Sequence, residues 1–226
     1  MARQPPRFYR TNEHDCGMIL FLSKAIVISL SGVMAPGPVT AATIAAGTRR
    51  RHAGALVALG HGVVEFPLMV LIMLGIGRLF EIEGVRIAVG LLGGAFLALM
   101  GAGMLLGLRK GDDPAGSPAG RHPLVAGIVL TAGNPYFLLW WATVGLALAT
   151  EAATLGALAF ALFAVIHWLC DLLWLEALSL ATFKGSRLLG GQARKIVLGV
   201  CAVALLVFAV TFIHDAAGRL LGAWSN

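Results

Sequence analysis

Two pairs of ionisable side chains stand inside otherwise apolar sequence: His61 and Glu65 in HGVVE, and His167 and Asp171 in HWLCD. At a spacing of four, each pair lies on one helix face, one turn apart. An imidazole beside a carboxylate can exchange protons near neutral pH, and the carboxylate can face a substrate ammonium. Taken together, His61, Glu65, His167 and Asp171 can also complete a ligand set for zinc or a similar divalent ion. The plainer alternative is a buried, hydrogen-bonded pair that only fixes helix packing. A charge at mid-bilayer costs at least about 2.5 kcal/mol even on insertion scales, which disfavours an idle carboxylate. Glu176 falls half a turn round the helix from His167, and is peripheral.

A second group of residues interrupts helices. Pro36 and Pro38 lack N–H groups and clash with the preceding turn, at about 3 kcal/mol each in a helix interior, and Gly37 between them lets the chain bend. Asn134 is a good N-cap and Pro135 suits the first helical position. Both segments therefore read as broken helices. Their second halves would direct free N–H groups and positive dipole ends at an anionic group such as a carboxylate. The alternative for the prolines is a packing kink, which membrane helices tolerate.

The elements that must position these residues are membrane spans. Of 226 residues, 58% are hydrophobic and 12% charged, with a mean hydropathy of +0.86, whereas soluble domains carry about 25% charged residues. Six apolar spans can be drawn, at about 18–48, 53–80, 85–108, 124–149, 153–183 and 196–213, each long enough for a bilayer core. The predicted fold is an all-α polytopic membrane protein, with two inverted three-helix repeats and broken first and fourth helices. Its parts are a polar tail at 1–17 (disordered, or an over-long start ahead of Met18), a first repeat at 18–108, a cytoplasmic linker at 109–123, a second repeat at 124–213 and a C-terminal tail at 214–226. An odd number of spans per repeat turns the second upside down relative to the first. PGP then corresponds to Asn134-Pro135, and His61/Glu65 to His167/Asp171. Counted from the cytoplasmic flanks, Pro38, His61, Asn134 and Asp171 share a depth of roughly 15–20 Å, near the middle of the hydrocarbon core.

Charge sets the orientation. Arg49–Arg51, then Arg109, Lys110 and Arg121, then Lys184, Arg187, Arg194 and Lys195 follow the odd spans, against Arg78 and Arg86 after the even ones. The positive-inside rule makes the richer set cytoplasmic and puts both termini outside, although Arg3, Arg7 and Arg10 oppose this. The net charge of +6 is thus a topology signal, and nucleic acid is excluded as a partner. Cys16, Cys170 and Cys201 form no CxxC and support no disulfide framework. Trp140, Trp141, Trp168 and Trp174 are expected in packing or interfacial anchoring. The small residues of GLLGGAFLALMGAGMLLG are expected in close helix packing.

The stretches APGPVTAATIAAGTRRRHAGALVALG (35–60) and TAGNPYFLLWWATVG (131–145) resemble the LysE/RhtB superfamily of amino-acid exporters. The resemblance extends from Met18 over nearly the whole chain. It implies ion-driven efflux of a small solute, an amino acid or similar zwitterion, across the cytoplasmic (inner) membrane. Pro36, Gly37 and Pro38 match its first motif, and Asn134 and Pro135 its second. The His/acid pairs depart from the amino-acid branch, where at most a lone aspartate is expected in the second span. They bring in a second reading, a divalent metal ion transporter using His61, Glu65, His167 and Asp171. A third, an intramembrane metal-dependent enzyme, has neither HExxH nor GxSxG behind it, and the chain is read as no enzyme. The partners implied are the solute and the lipid bilayer. No cofactor is implied, and a homo-oligomer is compatible with all three readings.

Overall fold

The structure is a computed structural model that describes residues 7–76, 79, 82–110, 122–188 and 190–224. The elements in chain order are α1 (Arg7–Val33), α2 (Pro38–Gly47), α3 (Ala53–Met73), α4 (Glu83–Lys110), α5 (Pro123–Ala132), α6 (Pro135–Trp140), a π-helical turn at Trp141–Gly145, α7 (Leu146–Leu155), α8 (Ala157–Leu188) and α9 (Gly190–Trp224). There is no strand among the described residues. Among the described residues, five helices are long and apolar enough to cross a membrane, and the bent pair Gly17–Val33 and Pro38–Gly47, taken as one span, makes a sixth. The chain is an all-α polytopic membrane protein. Most of the linker drawn at 109–123 lies outside the described residues. α1 begins at Arg7 and α9 runs to Trp224, so helix extends past the tail boundaries drawn at Met18 and Ile213. A helix satisfies its own backbone whether its side chains are apolar or polar, so apolar runs underestimate its length.

Both predicted breaks are present. Between α1 and α2 the axis turns by 74°. Gly37 is extended there (φ −149°, ψ −175°), Pro38 holds the first position of α2, and the first bond inside α2 runs from Ala41 N to Gly37 O. At the second break Asn134 is the N-cap of α6, its Oδ1 accepting from Tyr136 N at 3.1 Å, with Pro135 next. The ten residues of α2 and the ten of α5 are each about 15 Å long, and these two short segments pack side by side. Gly37 and Asn134 line one cavity, so the breaks lie at one level. The helical run Pro135–Leu155 that follows the second break has 21 residues, about 31 Å, enough to cross a bilayer by itself rather than starting midway.

Packing repeats with the halves exchanged: α1 lies on α8 as α5 lies on α3, and α2 on α9 as α6 on α4. The corresponding helices α4 and α9 pack against each other and run antiparallel, with Gly90 against Ala216, Gly94 against Ile213 and Gly101 against Leu206. In α3 and α8 the order is likewise opposed, Gly54 meeting Leu175 and Gly62 meeting Trp168. This is the inverted relation that three spans per repeat demand. Gly90, Gly93, Gly94 and Gly101 of α4 do what the sequence predicts and let helices approach closely, whereas Gly103 and Gly107 meet nothing within 4 Å. Gly93 also seats Pro135. At one end of the site an apolar cluster joins α1, α3, α7 and α8 through Phe21, Met69, Trp141, Leu148 and Phe163.

Candidate functional site

His61 and Glu65 leave α3 one turn apart, and His167 and Asp171 do the same from α8. Because α3 and α8 pack antiparallel, the pairs face each other. Glu65 Oε1 is the hub, with His61 Nε2 at 3.1 Å, His167 Nε2 at 3.2 Å and the Trp141 Nε1–H donating at 3.3 Å. Asp171 stands further off, its Oδ1 3.8 Å from His61 Nε2 and its Oδ2 3.8 Å from His167 Nε2. The ring nitrogens turned away from the hub also have partners: His61 Nδ1 pairs with Thr131 Oγ1 at 2.8 Å and His167 Nδ1 with Ser29 Oγ at 2.7 Å. All of these side chains are buried. Glu65 Oε2 and Asp171 Oδ2 are buried without a hydrogen-bond partner among the described residues. Unpaired buried carboxylate oxygens are costly, and both belong to residues that line a cavity of about 80 Å³.

That cavity has a polar wall and an aromatic one. Gly37 and Thr40 from the first break, Asn134 from the second, and His61, Glu65, His167 and Asp171 form the polar wall. Tyr136, Phe137, Trp140 and Trp141 form the aromatic wall, Trp140 lying nearly parallel to the His167 ring (25°) with centroids 5.1 Å apart. Thus six of the nine residues singled out from sequence line one space: Gly37, His61, Glu65, Asn134, His167 and Asp171. Pro38 and Pro135 are buried behind it as the first residues of their helices. Pro36 is exposed and does not line the cavity; it shapes the elbow between α1 and α2.

Sequence reasoning missed Ser29 and Thr131, which signal nothing until the fold pairs them with histidines 138 and 70 positions away. It also assigned Trp140 and Trp141 to packing or anchoring, whereas both line the cavity and Trp141 bonds the hub. The π turn that begins at Trp141 shifts the helical register there, and such turns are frequent at functional sites. Trp168 is a packing residue as expected, donating to Ala58 O at 3.0 Å. Glu176 lies apart from the cluster, accepting from Ala55 N at 2.9 Å and pairing with His52 at the start of α3. The chain can therefore hold a small polar solute or a cation among partnered histidines, two carboxylates and the amide-rich start of α2.

Comparison with known proteins gives one relative and a family. Over 212 residues, 91% of this chain and 100% of the relative, it is 27% identical to a Bacillus subtilis (strain 168) protein named "Putative amino acid efflux protein YcgF". No solved structure matches. The family model described as LysE type translocator matches residues 30–216, both breaks and all four cluster residues included, and the chain belongs to that family.

Proposed function

We propose that this translocator exports an amino acid or similar zwitterion across the cytoplasmic membrane in exchange for protons, with the basic loops in the cytoplasm and the termini outside. The observation that carries the reading is the meeting, in one cavity, of a helix start with two carboxylates that keep unpaired oxygens. The amides of Val39 and Thr40 precede the first bond inside α2, so they suit a substrate carboxylate. Glu65 Oε2 and Asp171 Oδ2 suit its ammonium, and the aromatic wall its side chain. His61 and His167, both on Glu65 Oε1, are the groups to carry the exchanged proton. The name of the Bacillus subtilis relative, amino acid efflux, agrees with this direction and solute class.

The test is efflux from vesicles loaded with a panel of labelled amino acids and metals, with and without an imposed pH gradient. Gradient-dependent loss of one or more amino acids is expected. Efflux indifferent to the gradient, or undiminished in a Glu65→Gln/Asp171→Asn double variant, removes the mechanism. A finer expectation concerns Trp141→Phe, which keeps an aromatic ring but removes the indole donor from the hub. One hydrogen bond to a charged group is worth about 1.5 kcal/mol, so efflux should fall about tenfold with the folded yield unchanged.

A second reading, transport of a divalent metal ion, is favoured by one distance: ligand atoms of His61, Glu65 and Asp171 lie within 4.8 Å of one another. The positive start of α2 beside them works against a cation, which ranks this reading second. Stoichiometric zinc or cobalt binding by calorimetry, lost in His61→Ala, would reverse the order.

A further inference from the structure

We propose that Ser29 and Thr131 are positioning residues that tie the histidines to the broken helices, so that movement at either break releases an imidazole's Nδ1 and loosens its hold on Glu65. The inference goes beyond solute binding but rests on the cluster being the transport site. The two bonds cross between repeats. His61 on α3 is held by Thr131 of the second repeat's first segment, at 2.8 Å, and His167 on α8 by Ser29 of the first repeat's, at 2.7 Å. Thr131 stands next to the last residue of α5, and Ser29 one turn before the end of α1. Both hydroxyls are buried, and neither residue lines the cavity. The solute-binding reading has no use for either.

Hydroxyl chemistry suits this task. Each Nε2 faces a carboxylate oxygen of Glu65, which only accepts when ionised, so Nε2 carries the hydrogen in this arrangement. Nδ1 is then a bare acceptor in the neutral ring and an N–H donor in the charged one. A hydroxyl serves either state by rotating, whereas a backbone carbonyl only accepts and an amide N–H only donates. It serves equally if Nε2 turns its lone pair to a bound cation. The ring therefore keeps its place while its occupancy changes. The carboxylates facing both rings are Glu65 and Asp171, and the two imidazoles face each other across Glu65 Oε1; the aromatic neighbours are the rings of Phe137, Trp140, Trp141 and Phe163. With Phe137 edge-on to His61 and Trp140 stacked on His167, neither imidazole follows a departing hydroxyl without leaving its aromatic contact. Bending α1 or α5 thus breaks a hydroxyl bond and loosens one imidazole from the hub.

The experiment uses the full chain, with two hydroxyl-deleting variants, Ser29→Ala and Thr131→Val, and two hydroxyl-retaining ones, Ser29→Thr and Thr131→Ser. One readout is nitrogen NMR of isotope-labelled histidine in the purified protein. The other is efflux from proteoliposomes loaded with a labelled mixture of the common amino acids. Ser29→Ala should shift only the His167 Nδ1 signal and Thr131→Val only that of His61, each lowering efflux about tenfold. The hydroxyl-retaining pair should keep wild-type signals and at least half of the efflux. Unshifted Nδ1 signals, undiminished efflux in the deleting pair, or equal losses in the retaining pair would overturn the proposal. Glu65→Gln separates the two levels. If it transports at the wild-type rate, the transport site itself is wrong; if it is dead while the deleting pair transports normally, only the tie is wrong. Should the wild type move none of the mixture, the amino-acid reading fails, and the NMR signals alone decide the tie.

Discussion

Glu65→Gln is expected to reduce efflux about a hundredfold while leaving a folded protein. Three donors converge on Glu65 Oε1: both histidine Nε2 atoms and the Trp141 indole. A glutamine oxygen in that place still accepts, but without charge, and its NH₂ group replaces the unpaired Oε2 with a donor. Charge-assisted hydrogen bonds are worth about 1.5–3 kcal/mol each, so weakening two of them costs about 3 kcal/mol, a factor near one hundred. The isosteric change leaves van der Waals packing intact, and near-normal yield and thermal stability should show that. Asp171→Asn should cost less, because Asp171 reaches the same histidines only at 3.8 Å. Initial rates in proteoliposomes check both. Equal losses from the two substitutions would mean that Glu65 is not the hub its geometry makes it.

That hub was legible in the sequence as far as depth goes. His61, Glu65, His167, Asp171 and Asn134 stand out because polar and ionisable groups are expensive inside lipid, and counting from the cytoplasmic flanks brings His61, Asp171 and Asn134 to one level. The mirror relation of the repeats also follows from an odd span number. The partners of those residues were not legible. Serine and threonine occur throughout membrane helices, usually bonded to their own backbone, as Thr43, Thr150 and Thr211 are here. Only the antiparallel crossing of the halves distinguishes Ser29 and Thr131 from these. Trp140 and Trp141 pack as expected, but their further place on the cavity wall was not legible, because a tryptophan that only packs and one that also faces a cavity look alike in one dimension. Helix outside the apolar runs, from Arg7 to Gly17 and from His214 to Trp224, was not legible because hydropathy reports where lipid is and not where helical hydrogen bonds form.

The site's rigidity depends on contacts that contain no chemistry at all, and Gly127→Ala should demonstrate it. Gly127 on α5 and Gly60 on α3 meet face to face: a methyl group on Gly127 would run into the Val57 carbonyl, and one on Gly60 into that of Leu124. Backbone cannot swing aside as a side chain can, so the helices must separate. Overpacking of this kind costs about 1–3 kcal/mol, which at the upper end lowers the melting temperature by about 6–12 °C for a chain of this size. Separation would also pull Thr131, four residues along α5, from His61, one residue along α3 from Gly60, so efflux should fall with stability. Gly103 on α4 is the matched control, because a methyl group there meets nothing within 4 Å. Gly103→Ala should leave efflux unchanged and stabilise the helix by up to about 1 kcal/mol, as alanine does in place of glycine. A thermal shift assay in detergent compares the two. If both alanines behaved alike, the close approach of α3 and α5 would not be what holds His61 in line with Glu65.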